Sequence, residues 1–172
     1  SMPGGSRAYE FASRLAARGH EVHVVTSVRD SDGLSGWHTT DENGVHVHWF
    51  PVRYANDMGL LERLCAFAAF ALRAVPRATS LVPEVVFATS TPLTIAVPGI
   101  AVSRWHRVPM VFEVRDLWPT VPIAMGALRN PLARGAALAL EWVAYRASAR
   151  IVALSPGMAE GVARTGYPSS RI

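Results

Sequence analysis

The chain has 172 residues, of which half are apolar and 17% are charged, a composition that excludes an intrinsically disordered segment and suits one globular domain. All 17 basic residues are arginine, and the formal net charge is +4. Either an anionic partner (a nucleotide, a phospholipid surface or a nucleic acid) or the coding bias of a GC-rich genome explains that charge. The arginines are scattered, which is not typical of a nucleic-acid-binding surface.

The cysteine content and the hydropathy indicate in which cellular compartment the protein is expected. Cys65 is the only cysteine, so an internal disulfide is excluded and a reducing compartment fits. Charged residues and prolines interrupt every apolar stretch before it is long enough to span a bilayer. The sequence therefore favours a cytoplasmic protein.

Strands and helices alternate along the sequence. In the first half of the chain, apolar spacing and turn residues predict a helix over 8–18, a strand over 21–26, a loop over 27–44, a strand over 45–50 and a helix over 60–78. In the second half they predict a strand over 84–89, a helix from 91 to about 105, a strand over 108–114, a helix from 130 to about 147, a strand over 150–154 and a last helix from 155. This order predicts a Rossmann-like α/β fold, an open, mostly parallel, doubly wound sheet with helices on both faces, in one domain over 1–172.

The first residues are unusual for such a fold, because a glycine-rich turn leads into the first helix with no strand before it. We expect that the first strand is missing from the sequence. Gly4 and Gly5 are candidates for a loop that lets a donor phosphate approach the backbone, and a tight turn explains them equally well. The dinucleotide fingerprint G-x-G-x-x-G is absent from the sequence, and so is the P-loop lysine.

Three predicted helices begin with a capping residue followed by proline, at Thr91, Asn130 and Ser155. The helices at Thr91 and Ser155 directly follow strands. Their free N–H groups therefore lie at the carboxyl edge of the predicted sheet, where open α/β sheets bind ligands. Ser90, Thr91 and Ser155 are candidate residues for binding a sugar or an acceptor at this edge.

The segment FEVRDLWP at 112–119 carries a charged pair at the end of a buried strand. Arg115 and Asp116 are the candidate catalytic residues, since a guanidinium and a carboxylate at this edge can bind sugar hydroxyls, orient a nucleophile or hold a phosphate. A structural ion pair, with Asp116 capping the next turn, is the alternative. Glu113 lies within the apolar strand, so it is either a ligand contact or the partner of a buried arginine.

Two further features have a structural and a functional interpretation. His46 and His48 share one face of a strand, but a third metal ligand at a suitable spacing is lacking, and an ordinary polar strand face is favoured. No recognisable cluster is formed by His20, His23, His38 and His106. The helix over 60–75 is either a core helix or a membrane-interface helix whose headgroup contacts are Arg63, Arg73 and Arg77.

Five stretches of the sequence, in chain order, are GGSRAYE at 4–10, LAARGHEV at 15–22, ATSTP at 88–92, VFEVRDLWP at 111–119 and IVALSPGM at 151–158. They cover nearly the whole chain, and the last two are the most specific. Together they resemble the N-terminal domain of family-4-type retaining glycosyltransferases of the GT-B architecture. The similarity is greatest to the bacterial branch that makes capsule, O-antigen and exopolysaccharide sugars.

The resemblance implies the acceptor-side half of a two-domain enzyme. The loop at Gly4 and Gly5 would face the donor diphosphate, and a C-terminal domain absent from this chain would bind most of the nucleotide. Many relatives have histidine where this chain has Arg115, so the contact that this histidine makes with the donor sugar is not expected in this protein. Neither a metal nor a cofactor is implied. The implied partners are a nucleotide-sugar, a glycan or polyprenyl-linked acceptor and, as a peripheral contact, the inner face of the cell membrane.

The residues taken without the resemblance leave two other classes open. One is a nucleotide-dependent enzyme such as an oxidoreductase or an epimerase with a Rossmann domain. The other is a non-catalytic module that senses a sugar nucleotide. Composition and periodicity predict a ligand-binding α/β domain, whereas glycosyl transfer is implied by the resemblance alone.

Overall fold

The computed structural model describes residues 7–28, 35–53, 58–90, 92–124, 126 and 128–172. The elements in chain order are α1 (Arg7–Ala16), β1 (Val22–Val28), β2 (His38–Glu42), β3 (Val45–Pro51), α2 (Leu60–Thr79), β4 (Val86–Thr89), α3 (Ala96–His106), β5 (Met110–Val114), α4 (Thr120–Ala124), α5 (Pro131–Ala147), β6 (Arg150–Ala153) and α6 (Pro156–Arg164). They divide into two compact units, Ser1–Phe70 and Ala71–Ile172, with the boundary inside α2. No helix of the described residues is long and apolar enough to cross a membrane.

The first unit contains a three-stranded sheet in the order β1-β3-β2. Strands β1 and β3 are parallel, and β2 is antiparallel to β3. Ala12 of α1 is buried with Val45 and Val47 of β3, and the neighbouring valines of β1 pack against them. The alternating valines of these strands therefore face the helix, while the polar residues between them form the other face.

The prediction of a loop over 27–44 is wrong for 27–28, which are the last residues of β1, and for 38–42, which form β2. Asn43 and Gly44 both have positive φ, 57° and 81°, as the two-residue turn between β2 and β3 requires. The strand has few apolar residues, so hydrophobic periodicity does not reveal it. Its formation depends on pairing with β3, which supplies the backbone hydrogen bonds.

The second unit contains a parallel sheet in the order β4-β5-β6, and with its helices it confirms the predicted α/β fold. The register places Ala88, Phe112 and Ile151 side by side on one face, and all three are buried. Gly99 of α3 lies against Ala88 and Met110 on this face, and Tyr145 of α5 contacts Phe112. Helices α3 and α5 therefore cover the same face of the sheet.

Two of the three predicted helix caps are confirmed. The side chain of Asn130 accepts hydrogen bonds from the amides of Leu132 and Ala133, at 2.9 and 3.2 Å, and Ser155 Oγ accepts one from the amide of Met158 at 3.3 Å. Thr91 lies outside the described residues. Helix α3 begins later than predicted, at Ala96, because a 3-10 turn over Leu93–Ile95 precedes it.

Glu141 is a buried acid on α5, only 7% exposed. Burial raises the pKa of its carboxyl group above the usual value, and a hydrogen bond of 3.2 Å from the hydroxyl of Tyr145 partly offsets this. The pKa of the Tyr145 hydroxyl is also raised, chiefly by burial. Ionisation of Glu141 therefore weakens the fold at neutral pH.

We expect Glu141→Gln to raise the free energy of unfolding at neutral pH. The folded-state pKa lies above the unfolded-state value, so the folded state binds the proton more tightly. The contribution of the acid to stability is complete below the unfolded-state pKa and is lost as pH rises through the folded-state pKa. Glutamine keeps an acceptor for Tyr145 without this loss. The check is urea unfolding at neutral and acid pH.

The gain from Glu141→Gln should shrink at acid pH, where the wild-type carboxyl group is protonated in both states. Glu160→Gln is the matched control, since Glu160 is an exposed helical glutamate ion-paired with Arg164 at 3.5 Å. An equal gain at every pH for Glu141→Gln would show that ionisation is not the cause.

Candidate functional site

The carboxyl ends of β4, β5 and β6 lie at one edge of the second unit's sheet because the three strands are parallel. Ser90 follows β4, Arg115 and Asp116 follow β5, and Ser155 lies two residues beyond β6. Gly4, Gly5 and Thr91 lie outside the described residues, so their predicted roles stay predictions.

Ser90 links the end of β4 to the end of β5. Its side chain is only 2% exposed, its amide donates to the carbonyl of Glu113 at 3.0 Å, and its Oγ accepts from the amide of Arg115 at 3.1 Å. The serine therefore extends the strand pairing by one step and holds the backbone from which Arg115 and Asp116 project.

Glu113 lies on the face of β5 opposite Phe112 and is 2% exposed. Its direct neighbour in the register is Thr89, whose hydroxyl donates to Glu113 Oε2 at 2.6 Å. A buried carboxylate needs such donors, because burial without them is unfavourable. Sequence reasoning missed Thr89, although its place immediately before Ser90 marks it as a polar residue at a strand end.

Arg115 and Asp116 are both exposed at the sheet edge, whereas the residues after them turn back into the protein. Leu117 and Trp118 pack against the core and Pro119 is buried. The turn is closed by a hydrogen bond from the amide of Trp118 to the carbonyl of Asp116, at 2.9 Å. The charged pair therefore stands on a backbone anchored on both sides.

Helix α6 holds this turn by a close approach at Gly161. A Cβ atom at this position would lie 2.7 Å from Leu117 Cδ1 and 2.8 Å from Cδ2, so any side chain would force Leu117 to move. The glycine therefore allows α6 to pack directly against the segment after Asp116. No sequence motif singled out Gly161, because its importance depends on this tertiary contact.

The arrangement suits recognition of a polar, anionic ligand. An exposed carboxylate accepts hydrogen bonds from sugar hydroxyls, and a guanidinium donates paired hydrogen bonds to a phosphate. Both groups project from a backbone that Ser90 and Leu117 hold in place. Preorganised charges of this kind can stabilise charge that develops during a reaction.

Ser155 lies beside an open groove of about 660 Å³ between β6 and α6. The polar side chains along it belong to Ser155, Glu160 and Ser169. Strand β6 is at the edge of the sheet, so alternate backbone groups of the strand face the groove. The hydroxyl of Ser155 caps α6, and the cap orients the helix N-terminus at the end of the groove.

We expect Ser90→Ala to lower the free energy of unfolding by about 1 to 2 kcal/mol, because the amide of Arg115 loses its acceptor. The check is chemical unfolding monitored by circular dichroism. Ser80→Ala is the control, because Ser80 is exposed and its hydroxyl bonds only to the helix carbonyl of Arg77. Equal losses in the two variants would rule out a special role for Ser90.

Three histidines of the first sheet lie close together, although their spacing in the sequence did not indicate a cluster. His23 of β1 lies beside the pair on β3, with ring centroids 5.0 Å from His46 and 5.2 Å from His48. His23 Nδ1 and His48 Nε2 share a hydrogen bond of 3.0 Å, and His48 Nδ1 shares one of 2.9 Å with the hydroxyl of Thr39. The prediction that His23 belongs to no cluster is therefore wrong, because the parallel register of β1 and β3 could not be read from spacing.

Three histidines thus lie side by side on the polar face of the first sheet. Among the described residues, no group of three or more histidine, cysteine or acidic side chains is arranged to hold a metal ion. The ring nitrogens are instead used in hydrogen bonds, including one of 3.0 Å between His23 Nε2 and Glu21. The network ties β1, β2 and β3 together on the polar face of the first sheet.

Comparison with known proteins decides between the classes that the geometry leaves open. The family model of the glycosyl transferase 4-like domain matches residues 4–172, which is nearly the whole chain. The chain belongs to this family. No curated protein matches the chain.

The α/β fold agrees with this membership, because it corresponds to the Rossmann-like half of a GT-B enzyme. Membership indicates a glycosyltransferase function in general. Within the domain, the structure brings Ser90, Glu113 and Arg115 into direct contact, with Asp116 beside them. It gives Ser155 a capping role at the neighbouring strand end.

Proposed function

We propose that this domain is the acceptor-side half of a retaining glycosyltransferase. The enzyme would move a sugar from a nucleotide-sugar to a glycan or polyprenyl-linked acceptor during synthesis of bacterial surface polysaccharide. The observation that carries the proposal is the exposed Arg115-Asp116 pair on an anchored backbone at the carboxyl edge of a parallel sheet, in a glycosyl transferase 4-like domain.

The proposal assigns different tasks to the residues of the edge. Asp116 accepts hydrogen bonds from hydroxyl groups of the reacting sugar, and Arg115 donates to the diphosphate or to developing negative charge. Gly4 and Gly5 let the donor phosphates approach the backbone. Ser90, Thr91, Glu113 and Ser155 position these groups or contact the acceptor. Neither a metal nor a cofactor has a role in the proposed transfer.

A second domain that holds the nucleotide belongs to the proposal, as does a cytoplasmic location at the inner face of the membrane. The acceptor-side residues supply one wall of the cleft, and the nucleotide-binding domain supplies the other. A domain with one wall would not turn over substrate. We therefore propose that the 172-residue chain alone is inactive.

The test is a nucleotide-sugar screen on the full-length protein, with bacterial membrane extract as the acceptor source. Transfer of label from one nucleotide-sugar into a lipid-linked or glycan product, with the anomeric configuration of the donor retained, is the expected result. Inversion of the anomeric configuration would contradict the retaining mechanism. Hydride transfer or epimerisation of the nucleotide-sugar, with no transfer, would place the protein in another enzyme class.

A further inference from the structure

The outer face of α5 is strongly apolar for an exposed surface. Leu132 is 83% exposed, Trp142 52%, Leu138 47% and Val143 37%. Successive residues of an α-helix are rotated by about 100° around its axis, so these side chains and the small residues between them lie on one side of α5. This side is opposite the one that packs on the sheet. A contiguous apolar face of this kind indicates an interaction surface.

The charges on this surface all have one sign. Arg134 and Arg146 are exposed on α5, and the only acidic residue of the helix, Glu141, is buried against Tyr145. The guanidinium of Arg146 lies over the ring of Trp142, 5.1 Å from its centroid. The charge of the face is therefore positive.

Helix α3 extends the same surface. It covers the same face of the sheet as α5, and both helices connect parallel strands, so they run in the same direction. Trp105, 76% exposed, is in the last turn of α3, and exposed Arg104 and Arg107 flank it. Helix α3 contains no acidic residue. Exposed tryptophans thus occur in the C-terminal halves of both helices, with arginines beside them.

We propose that the outer face of α5, extended by the end of α3, binds the surface of an anionic phospholipid membrane. The exposed apolar side chains enter the boundary between headgroups and acyl chains, the tryptophans lie at the headgroup level, and the arginines pair with lipid phosphates. The proposal concerns where the protein contacts the membrane. It rests on the membrane location that is part of the proposed function, but not on the reaction, so a failure of vesicle binding and a failure of sugar transfer are distinguishable.

The charge pattern favours a membrane over a second copy of this chain. Two copies meeting through this face would bring cationic surfaces together without an exposed acidic residue from α3 or α5 to neutralise them, and like charges oppose such contact. An anionic lipid surface attracts the same charges, and it accommodates exposed leucine and tryptophan side chains without a shaped pocket. The combination of one charge sign with exposed apolar residues therefore fits lipid.

The test measures binding of the intact protein to vesicles of phosphatidylglycerol and phosphatidylcholine in equal parts, by co-sedimentation. We expect binding to these vesicles and little to pure phosphatidylcholine. The double variant Leu132→Glu/Trp142→Glu should reduce the partition coefficient at least tenfold, since it removes two apolar side chains that enter the bilayer in the bound state and adds negative charge. Arg134→Gln/Arg146→Gln should weaken binding about fivefold for each arginine removed.

The matched control is Leu72→Glu, because Leu72 is 67% exposed on α2, the helix over which the sequence analysis left a membrane contact open. Binding should be unchanged in this variant. The proposal is overturned if wild-type protein does not bind the anionic vesicles, or if Leu72→Glu weakens binding as much as the α5 variants. It is also overturned if the α5 changes dissociate a dimer in sedimentation velocity without affecting vesicle binding. Circular dichroism confirms folding, and the Arg134→Gln/Arg146→Gln variant, whose two positions are exposed, provides a test if the glutamate variant does not fold.

Discussion

Asp116→Asn in the full-length enzyme is expected to lower kcat by roughly 100- to 10,000-fold, the range that a group acting on the reacting centre contributes. Asparagine has nearly the same shape but lacks the negative charge, so it accepts weaker hydrogen bonds from sugar hydroxyls and cannot balance positive charge in the transition state. Because Asp116 is exposed, the free energy of unfolding should change little. The measurement is steady-state kinetics with the donor found in the screen.

Glu84→Gln is the matched control for Asp116→Asn. Glu84 is an exposed carboxylate just before β4, at the opposite end of the strands from the candidate site. Its removal should leave both kcat and KM unchanged. Unchanged activity in Asp116→Asn would favour the structural interpretation, in which Asp116 only caps the turn before α4.

Phe112→Ala is expected to have the largest effect on stability, a loss of about 3 to 5 kcal/mol in the free energy of unfolding. Phe112 is 1% exposed and its ring centroid lies 6.2 Å from that of Tyr145, between β5 and α5. Truncation leaves a cavity at the centre of the second unit, under the strand that ends in Arg115 and Asp116. The measurement is urea unfolding followed by tryptophan fluorescence.

Phe87→Ala is the control for this cavity. Phe87 is the same residue type on the neighbouring strand, but it is 42% exposed on the opposite face of the sheet. We expect a loss below about 1.5 kcal/mol, because a half-exposed ring leaves a smaller cavity and loses less burial. Similar losses in the two variants would show that the core is not centred on Phe112.

Several features of the fold followed from the sequence because local chemistry decides them. Asn130 and Ser155 were predicted as caps from their hydroxyl or amide groups and the prolines after them, and both side chains accept the expected amide hydrogen bonds. The apolar runs over 84–89 and 108–114 predicted parallel strands, and β4 and β5 occur within those limits. In both cases the signal lies within a few residues of the structure that it predicts.

Other predictions failed or stayed open because they depend on pairing between distant segments. The polar strand β2 carries little apolar periodicity and exists through its pairing with β3. The contact of His23 with His48 depends on the register between β1 and β3, two strands that are separated in the chain by β2. Capping and periodicity cannot specify register, since a shift of one residue reverses the face of every side chain.

The segment FEVRDLWP illustrates the same division within the candidate site. Its residue types and its place after a buried strand were enough to predict a charged pair at the carboxyl edge of the sheet, because the strand pattern and the polarity of Arg115 and Asp116 are local properties. The sequence could not show that Thr89 donates to Glu113, that Ser90 holds the amide of Arg115, or that Gly161 admits Leu117. Only the tertiary structure decided these contacts, because each joins residues 24 or more positions apart whose approach is set by packing of the whole unit.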